Sequence, residues 1–165
     1  MVKDSVVMVL DCGGGTVDIT IHKLTCNPDE RFLCEELLPS SGGCQWGSKF
    51  VDRHFEEFLL KLFGPEFYEI YKANAMARLE ILKHFEMMKR KFNPGVDDRS
   101  RLQLNFLGEE LNGPKLTEFV KRYNEQDEKE AAAKGTKPAK LTQRGMSSID
   151  LPPQVMISFF KPLFD

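Results

Sequence analysis

Two carboxylates flank three consecutive glycines near the start of the chain, in the segment DCGGGTVD. Because glycine lacks a Cβ, it permits positive φ in a tight turn and lets an anion approach the backbone N–H groups. A threonine hydroxyl adds a donor, and hydrated Mg²⁺ takes carboxylate, water and phosphate oxygens. The segment therefore predicts a cradle for a metal-chelated phosphate chain. Its predicted phosphate-binding residues are Gly13, Gly14, Gly15 and Thr16, and its predicted metal ligands are Asp11 and Asp18.

The glycines lie between two predicted strands. Residues 6–10 are five consecutive apolar residues, which predicts a strand buried on both faces. Residues 16–24 alternate between apolar and polar, which predicts a second strand. A P-loop or a Rossmann turn would lead into a helix and carry a Gly-Lys-Ser/Thr or G-x-G-x-x-G pattern, and the sequence has neither. A structural hairpin with a flexible tip is the alternative interpretation.

Composition argues against several classes of protein. The 165 residues are 41% hydrophobic, enough for one ordinary domain. A net charge of −2 argues against general binding to nucleic acids or anionic membranes. We expect no membrane span and recognise no secretory signal. The four cysteines lack C-x-x-C spacing, so we expect no zinc site and predict reduced thiols in a cytoplasmic protein.

A second group of polar residues lies on a predicted helix over residues 75–92. Glu86, Lys89, Arg90 and Asn93 stand at i, i+3, i+4 and i+7, which places them in one stripe. By periodicity alone this stripe is typical of a solvated helix face.

The run DCGGGTVDITIHKL resembles the second phosphate-binding hairpin of the superfamily of actin, sugar kinases and seventy-kilodalton heat-shock ATPases. The heat-shock branch is the most similar, since GGCQWGSKFVDRHFEEFLLKLFG and SFFKPLFD also resemble a divergent member of it. The resemblance is strongest over residues 5–64 and 80–94 and thin between 95 and 145. It implies an α/β (α+β) protein of the actin-like, ribonuclease H-like ATPase fold, with a three-strand antiparallel start, a helical lobe and a small sheet.

The resemblance also implies a ligand, ATP or ADP with Mg²⁺. Heat-shock ATPases have a helix whose Glu, Lys, Arg and Ser contact adenine and ribose. Glu86, Lys89 and Arg90 match the first three, and Asn93 replaces the serine. Chemically, a guanidinium can stack on a purine, and the Lys and Glu side chains can hydrogen-bond ribose hydroxyls. Gly47 matches a family glycine at the phosphate side of the cleft.

The resemblance further implies three regions. Residues 1–46 would begin the core of the ATPase lobe with the phosphate hairpin. Residues 47–150 would form an inserted helical and β subdomain with the adenosine-side helix, and residues 151–165 would begin the helix that returns to the core. Nothing in the chain matches the family's first phosphate hairpin or its catalytic carboxylate. We therefore assign no catalytic residue. The chain is expected to be a fragment of a longer protein, which we favour, or a truncated relative of the family.

The remaining elements are predicted from periodicity and turn residues. They are a third strand over 31–38, a helix from Ser48 to Gly64, short helices around 66–71 and 116–123, a strand over 101–107 and a last helix after Pro152. Residues 124–140 are highly charged and carry no apolar side chain larger than alanine. We expect them to form a loop that includes at most a frayed helical piece.

The resemblance favours one function, ATP binding within a heat-shock-seventy-like chaperone of the stress response. The complete parent would hydrolyse ATP slowly and contact client proteins or co-chaperones. Two alternatives stay open: a sugar- or acetate-kinase-type phosphotransferase of the same superfamily, and a nucleotide-binding scaffold without hydrolysis. The isolated chain is expected to hydrolyse nothing and to be poorly soluble, because the meander would expose a sheet edge.

Overall fold

The computed structural model describes residues 5–26, 32–38, 47–96, 99–111 and 113–161. The chain divides into two compact units, Met1–Val51 and Asp52–Asp165, and each is considered by itself. In the part described, the protein is α+β, with two three-stranded antiparallel sheets and five α-helices.

The first unit contains an antiparallel meander of β1 (Ser5–Cys12), β2 (Val17–Cys26) and β3 (Phe32–Leu38). The predicted strand–glycine–strand arrangement and the third strand are confirmed. β1 and β2 pair without interruption, because the short glycine turn keeps the two strands in register. The pairing of β2 with β3 contains a register shift between Ile21 and His22.

The prediction that β1 is buried on both faces is wrong for this chain. Val6, Met8, Val9 and Leu10 each expose between 51% and 63% of their surface. Burial of such an apolar strand needs a layer on each side of its sheet. The described residues of the first unit supply only the three strands and the start of one helix, so the apolar side chains of β1 remain accessible.

The second unit is mainly helical. Its helices are α1 (Lys49–Phe63, which begins at the end of the first unit), α2 (Pro65–Ala73), α3 (Ala75–Lys91), α4 (Gly113–Lys134) and α5 (Pro153–Phe160). Gly64 separates α1 from α2 with φ +81°, as the Gly-Pro pair predicts. The side chain of Asn74 accepts from Ala77 N at 3.0 Å and starts α3. None of the described helices is both long and apolar enough to cross a membrane.

Aromatic rings join three of these helices. The Phe55 ring of α1 stacks on the Phe85 ring of α3 with 3.8 Å between centroids. Phe159 of α5 meets both rings edge-on, at 5.9 and 5.6 Å. All three side chains are buried, so this contact forms the centre of the helical core.

A second sheet lies against this core. It consists of β4 (Ser100–Gln103), β6 (Ser148–Leu151) and β5 (Thr142–Arg144), in that order. Leu102 and Ile149 face each other in the register and are fully buried. The small sheet expected from the resemblance is therefore present.

The strand predicted over 101–107 is too long. After β4 the chain forms 3₁₀ turns over Asn105–Leu111, with a kink at Gly108, whose φ is +57°. Leu104, Leu107 and Leu111 are all buried. Their spacing of three and four residues suits helical turns, whereas a strand would bury every second residue.

The prediction that residues 124–140 form a loop with at most a frayed helical piece is also wrong over its first part, because the regular helix α4 continues to Lys134. Alanine, glutamate and lysine are strong helix formers. Tertiary contacts also support the helix, since Ala131 is buried and Lys61 Nζ lies 2.9 Å from Glu130 Oε2. Gly135, with φ +65°, then ends it.

The segment that follows α4 is held by side chains of the helix. Asn124 accepts from Leu141 N at 2.8 Å and donates to Leu141 O at 3.0 Å. Asp127 accepts from Ala139 N at 2.7 Å. These bonds give the backbone of a highly charged segment fixed partners, which composition does not reveal.

His84 of α3 links stability to pH. Its Nδ1 atom is buried without a hydrogen-bond partner among the described residues, and burial lowers its pKa from 6.5. Because the unfolded chain then binds the proton more readily, stability is full above about pH 6.5 and falls as the pH drops below it.

We predict that His84→Gln loses less stability than the unsubstituted chain between pH 7.5 and 5.5. Urea unfolding followed by circular dichroism measures this, and equal losses would contradict it.

Candidate functional site

The glycine turn closes the hairpin of β1 and β2. Gly13 N donates to Thr16 O at 2.9 Å, and Cys12 pairs with Val17 at the strand ends. The Thr16 hydroxyl donates to Asp18 Oδ2 at 3.0 Å, which fixes the orientation of that carboxylate.

The carbonyl groups of the turn accept hydrogen bonds from residues 47–49, the two residues before α1 and its first residue. The donor and acceptor pairs are Gly47 N to Gly15 O at 3.3 Å, Ser48 N to Gly13 O at 3.3 Å, and Lys49 N to Gly14 O at 2.9 Å. The first N–H groups of a helix lack partners within the helix, and here the turn supplies acceptors. The N–H groups of Gly14, Gly15 and Thr16 donate to no acceptor in the described part of the chain.

Gly47 makes this contact possible. A Cβ on Gly47 would lie 2.5 Å from both C and O of Gly14 and 2.6 Å from C of Gly15. Real side chains do not approach backbone atoms so closely, so only glycine fits here. The structure thus brings Gly47, predicted from the resemblance alone, into contact with the predicted phosphate turn.

The prediction that the glycines adopt positive φ in the turn is wrong, because none of Gly13, Gly14 and Gly15 has a positive φ. A Cβ on Gly14 would meet its nearest atom, Ser48 Oγ, at 3.9 Å, and one on Gly15 would meet nothing within 4 Å. Neither backbone strain nor packing within the described residues accounts for glycine at these two positions. The open space above both residues suits a group that approaches the backbone from outside.

Asp11 and Asp18 stand directly opposite each other in the register of β1 and β2. Side chains at paired positions share one face of a sheet, and like charges placed this way destabilise the pair. A bound cation would offset that repulsion. No group of three His, Cys, Asp or Glu side chains suited to a metal occurs in the described residues, so a metal held by this pair would need water or phosphate ligands as well.

The polar stripe of α3 forms an ion-pair network with α1. The side chain of Lys89 is only 8% exposed, and its Nζ lies 2.7 Å from Asp52 Oδ1 and 2.5 Å from Glu86 Oε2. Arg90 Nε donates to Glu86 Oε1 at 2.7 Å. The structure therefore brings Glu86, Lys89 and Arg90 together. Sequence reasoning missed Asp52, since the pattern of α3 contains no signal for a residue of α1.

The network holds its charges at neutral pH. Burial alone would lower the pKa of Lys89, but hydrogen bonds to Asp52 and Glu86 outweigh it and raise the pKa. Hydrogen bonds from Lys89 and Arg90 lower the pKa of Glu86. The Lys89 ammonium is thus engaged by two carboxylates, whereas the Arg90 side chain, 78% exposed, is accessible to a ligand.

Asn93 lies apart from this network. Its Oδ1 accepts from Gly95 N at 3.0 Å and forms the turn after α3. Next to the stripe is an open, mainly apolar pocket of about 410 Å³ lined by Lys89, Phe92, Pro94, Ile157, Phe160 and Lys161. The rings of Phe92 and Phe160 stack there with 5.7 Å between centroids. A flat apolar group fits such a lining.

Comparison with known proteins adds an independent observation. The chain is 30% identical over 160 residues to heat shock 70 kDa protein 12A of Homo sapiens and to that of Mus musculus, a match that covers 96% of this chain and 22% of each relative. This chain is a homologue of those heat shock proteins. Over 88 residues, 53% of this chain and 12% of the relative, it is 38% identical to human heat shock 70 kDa protein 12B. No family model matches the chain.

The resemblance to the seventy-kilodalton heat-shock branch is therefore confirmed. The match to protein 12A covers 96% of the chain, so the glycine hairpin and the α3 stripe both lie within it. The chain spans about a fifth of the length of that relative, 22%. The sequence match therefore includes both candidate regions of this chain, but it does not identify a ligand for either of them.

We predict that Gly47→Ala lowers the free energy of unfolding by about 1–3 kcal/mol, because its methyl group overlaps the backbone of the turn. The matched control is Gly15→Ala, whose methyl group enters open space and should change stability by less than about 0.5 kcal/mol. Urea unfolding followed by the fluorescence of Trp46, the single tryptophan, measures both. Equal effects of the two substitutions would show that the close contact is absent.

Proposed function

We propose that this chain binds ATP or ADP with Mg²⁺, as part of a nucleotide-binding domain with the actin-like ATPase fold. One observation carries the proposal. Gly14 and Gly15 combine unused N–H groups with open space where a side chain would stand. The start of α1 occupies the carbonyl side of the turn, so its amide side is left for an anion. Homology to the heat shock proteins supports a nucleotide as that anion.

The carboxylates Asp11 and Asp18 would hold the magnesium ion. They form a like-charged pair that is unfavourable without a cation, and Thr16 orients one of them. Mg²⁺, when bound, would neutralise phosphate charge and complete its shell with water and phosphate oxygens. The Thr16 hydroxyl, while it donates to Asp18, keeps its lone pairs for water or a metal-bound ligand.

The α3 stripe would contact the adenosine. Arg90 offers an accessible guanidinium, which can stack on a purine, and Glu86 can accept from ribose hydroxyls. Lys89 is held between two carboxylates, so we assign it first to positioning Glu86. Asn93 is bound to the backbone of its own turn and would contact the nucleotide only through its remaining amide group.

For the complete parent we infer slow ATP hydrolysis in a cytoplasmic chaperone with client proteins or co-chaperones as partners. This inference rests on homology with the heat shock 70 kDa proteins over about a fifth of their length. The same homology favours the chaperone branch over the sugar- and acetate-kinase alternative. We keep the proposed regions 1–46, 47–150 and 151–165, and we assign the chain itself no catalytic residue.

We predict that Gly15→Ala weakens binding of Mg-ATP at least about tenfold, because the methyl group enters the space where the phosphates approach the amides. The matched control is Gly113→Ala, whose methyl group makes an ordinary contact of 3.7 Å with Met146. Isothermal titration calorimetry measures both affinities. The proposed phosphate site would be refuted if Gly15→Ala bound Mg-ATP as tightly as the unsubstituted chain does. It would also be refuted if the unsubstituted chain did not bind Mg-ATP.

We predict that Asp11→Asn raises the free energy of unfolding in the absence of Mg²⁺ by about 0.2–1 kcal/mol, because it removes the repulsion across the hairpin. The same change should weaken ATP binding in Mg²⁺ but not in EDTA. Glu36→Gln is the control, since Glu36 lies opposite His22 and not opposite a carboxylate. A stability loss in Asp11→Asn, or unchanged Mg²⁺ dependence, would argue against a metal at this pair.

A further inference from the structure

The outer face of the second sheet carries a group of arginines that the nucleotide site does not use. Arg101 of β4 and Thr142 of β5 both pair with Asp150 of β6, so these three side chains share one face. The alternate residues Leu102 and Ile149 are fully buried on the opposite face. The apolar face of the sheet therefore packs into the core, and the face that carries Arg101, Thr142 and Asp150 is the opposite one.

Asp150 accepts hydrogen bonds from two arginines, Arg101 and Arg144. Arg101 Nε donates to Asp150 Oδ1 at 3.0 Å, and Arg144 Nε donates to Oδ2 at 2.6 Å. The Asp150 side chain is 5% exposed, whereas both arginine side chains are 56% exposed. Because the carboxylate engages each guanidinium through Nε, the terminal Nη groups are left without an acceptor in the described part of the chain.

A third arginine stands beside this pair without contacting the carboxylate. Arg99 donates through Nη1 to Thr142 Oγ1 at 3.2 Å and is exposed. A buried carboxylate needs cationic partners, and Asp150 already has two. Neutralisation of Asp150 therefore accounts for Arg101 and Arg144 but not for Arg99. Among the described residues of this face, Arg99 therefore adds a positive charge that no carboxylate pairs with.

The three guanidinium groups line one open pocket of about 490 Å³. Its lining residues are Arg99, Arg101, Arg144, Asp150, Pro152, Pro153 and Gln154. Three arginines and one aspartate leave a formal charge of +2 in a chain whose net charge is −2. A neighbouring pocket of about 340 Å³ shares Arg99 and Arg101 and adds Lys91. Asp97 and Asp98, which precede Arg99 in the sequence, lie outside the described residues.

Asp150 also preorganises the site. Burial alone would raise the pKa of Asp150, but hydrogen bonds from Arg144 and Arg101 outweigh it and lower the pKa. The carboxylate therefore stays ionised and holds the two guanidinium planes in place before any ligand arrives. Guanidinium forks match the oxygens of phosphate groups better than ammonium groups do.

We propose that Arg99, Arg101 and Arg144 bind the dianion of a phosphate monoester in this pocket, whose lining includes none of the residues proposed to bind the nucleotide. A phosphate monoester carries a charge of about −1.5 to −2 at pH 7, close to the charge left by the lining residues. It also presents three acceptor oxygens on one compact group, enough for one contact to each arginine. An acidic peptide would spread single carboxylate charges over a longer surface, which suits a concave pocket less well.

Arginine Nε–Hε signals in proton–nitrogen NMR spectra provide the test. Inorganic phosphate is titrated into the full chain at constant ionic strength and without Mg²⁺, with chloride as the reference anion. We expect saturable shifts at Arg99, Arg101 and Arg144. Arg53 is the internal control, because its Nε also donates to a carboxylate, Glu57, at 3.3 Å on an exposed helix face. Equal shifts at Arg53 would show general screening and would overturn the proposal.

Substitutions make the result specific. Arg99→Gln leaves both contacts to Asp150 intact and should weaken phosphate binding about tenfold, as should Arg144→Gln if that variant folds. Arg53→Gln should leave the affinity unchanged. Mg-ATP titration should be unaffected by Arg99→Gln, so failure here and failure of the nucleotide site are distinguishable. Unchanged phosphate affinity in Arg99→Gln, or stronger binding of an unphosphorylated acidic peptide than of phosphate, would refute the proposal.

Discussion

The contact between the glycine turn and the start of α1 is the constraint on which the candidate site depends. A helix begins with N–H groups that its own backbone cannot satisfy. Here three of the amides at that point donate to carbonyl groups of the turn, and Gly47 allows the two backbones to approach. Since a peptide group presents its carbonyl and its N–H in opposite directions, this contact leaves the amides of the turn on the other side. Helix capping and a proposed anion site thus arise from one arrangement.

Two features of the hairpin reduce stability when the described chain is considered alone. The apolar side chains of β1 are more than half exposed at Val6 and Met8, and Asp11 faces Asp18 across the ladder. Natural sequences break local rules mainly where function requires it. A cation between the carboxylates would remove one conflict, and additional protein packed on the sheet would remove the other. Both features fit a hairpin that a bound cation and further protein structure would stabilise.

The parts of the fold that depend on local pattern could be predicted, and those that depend on distant contacts could not. The hairpin followed from alternation and glycine, and the break at Gly64 from the Gly-Pro pair. The exposure of β1 depends on layers outside the strand itself. The length of α4 depends on Lys61, which binds Glu130 from another helix. For the candidate site, the resemblance placed Gly47 near the phosphate turn, but only the folded structure shows that its missing Cβ permits the contact.

The α3 stripe shows why spacing alone does not assign roles. Glu86, Lys89 and Arg90 share one helix face, yet the Lys89 side chain is 8% exposed and that of Arg90 is 78% exposed. The difference comes from Asp52, 37 residues earlier, whose carboxylate draws the Lys89 ammonium toward α1. A ligand that binds this face therefore meets Arg90 and Glu86 first, while Lys89 keeps the helices together. Substitution of Lys89 would disturb the position of Glu86 as well as any direct contact between Lys89 and a ligand. A variant of Lys89 that loses binding is therefore explained by the displacement of Glu86 as readily as by the loss of a ligand contact.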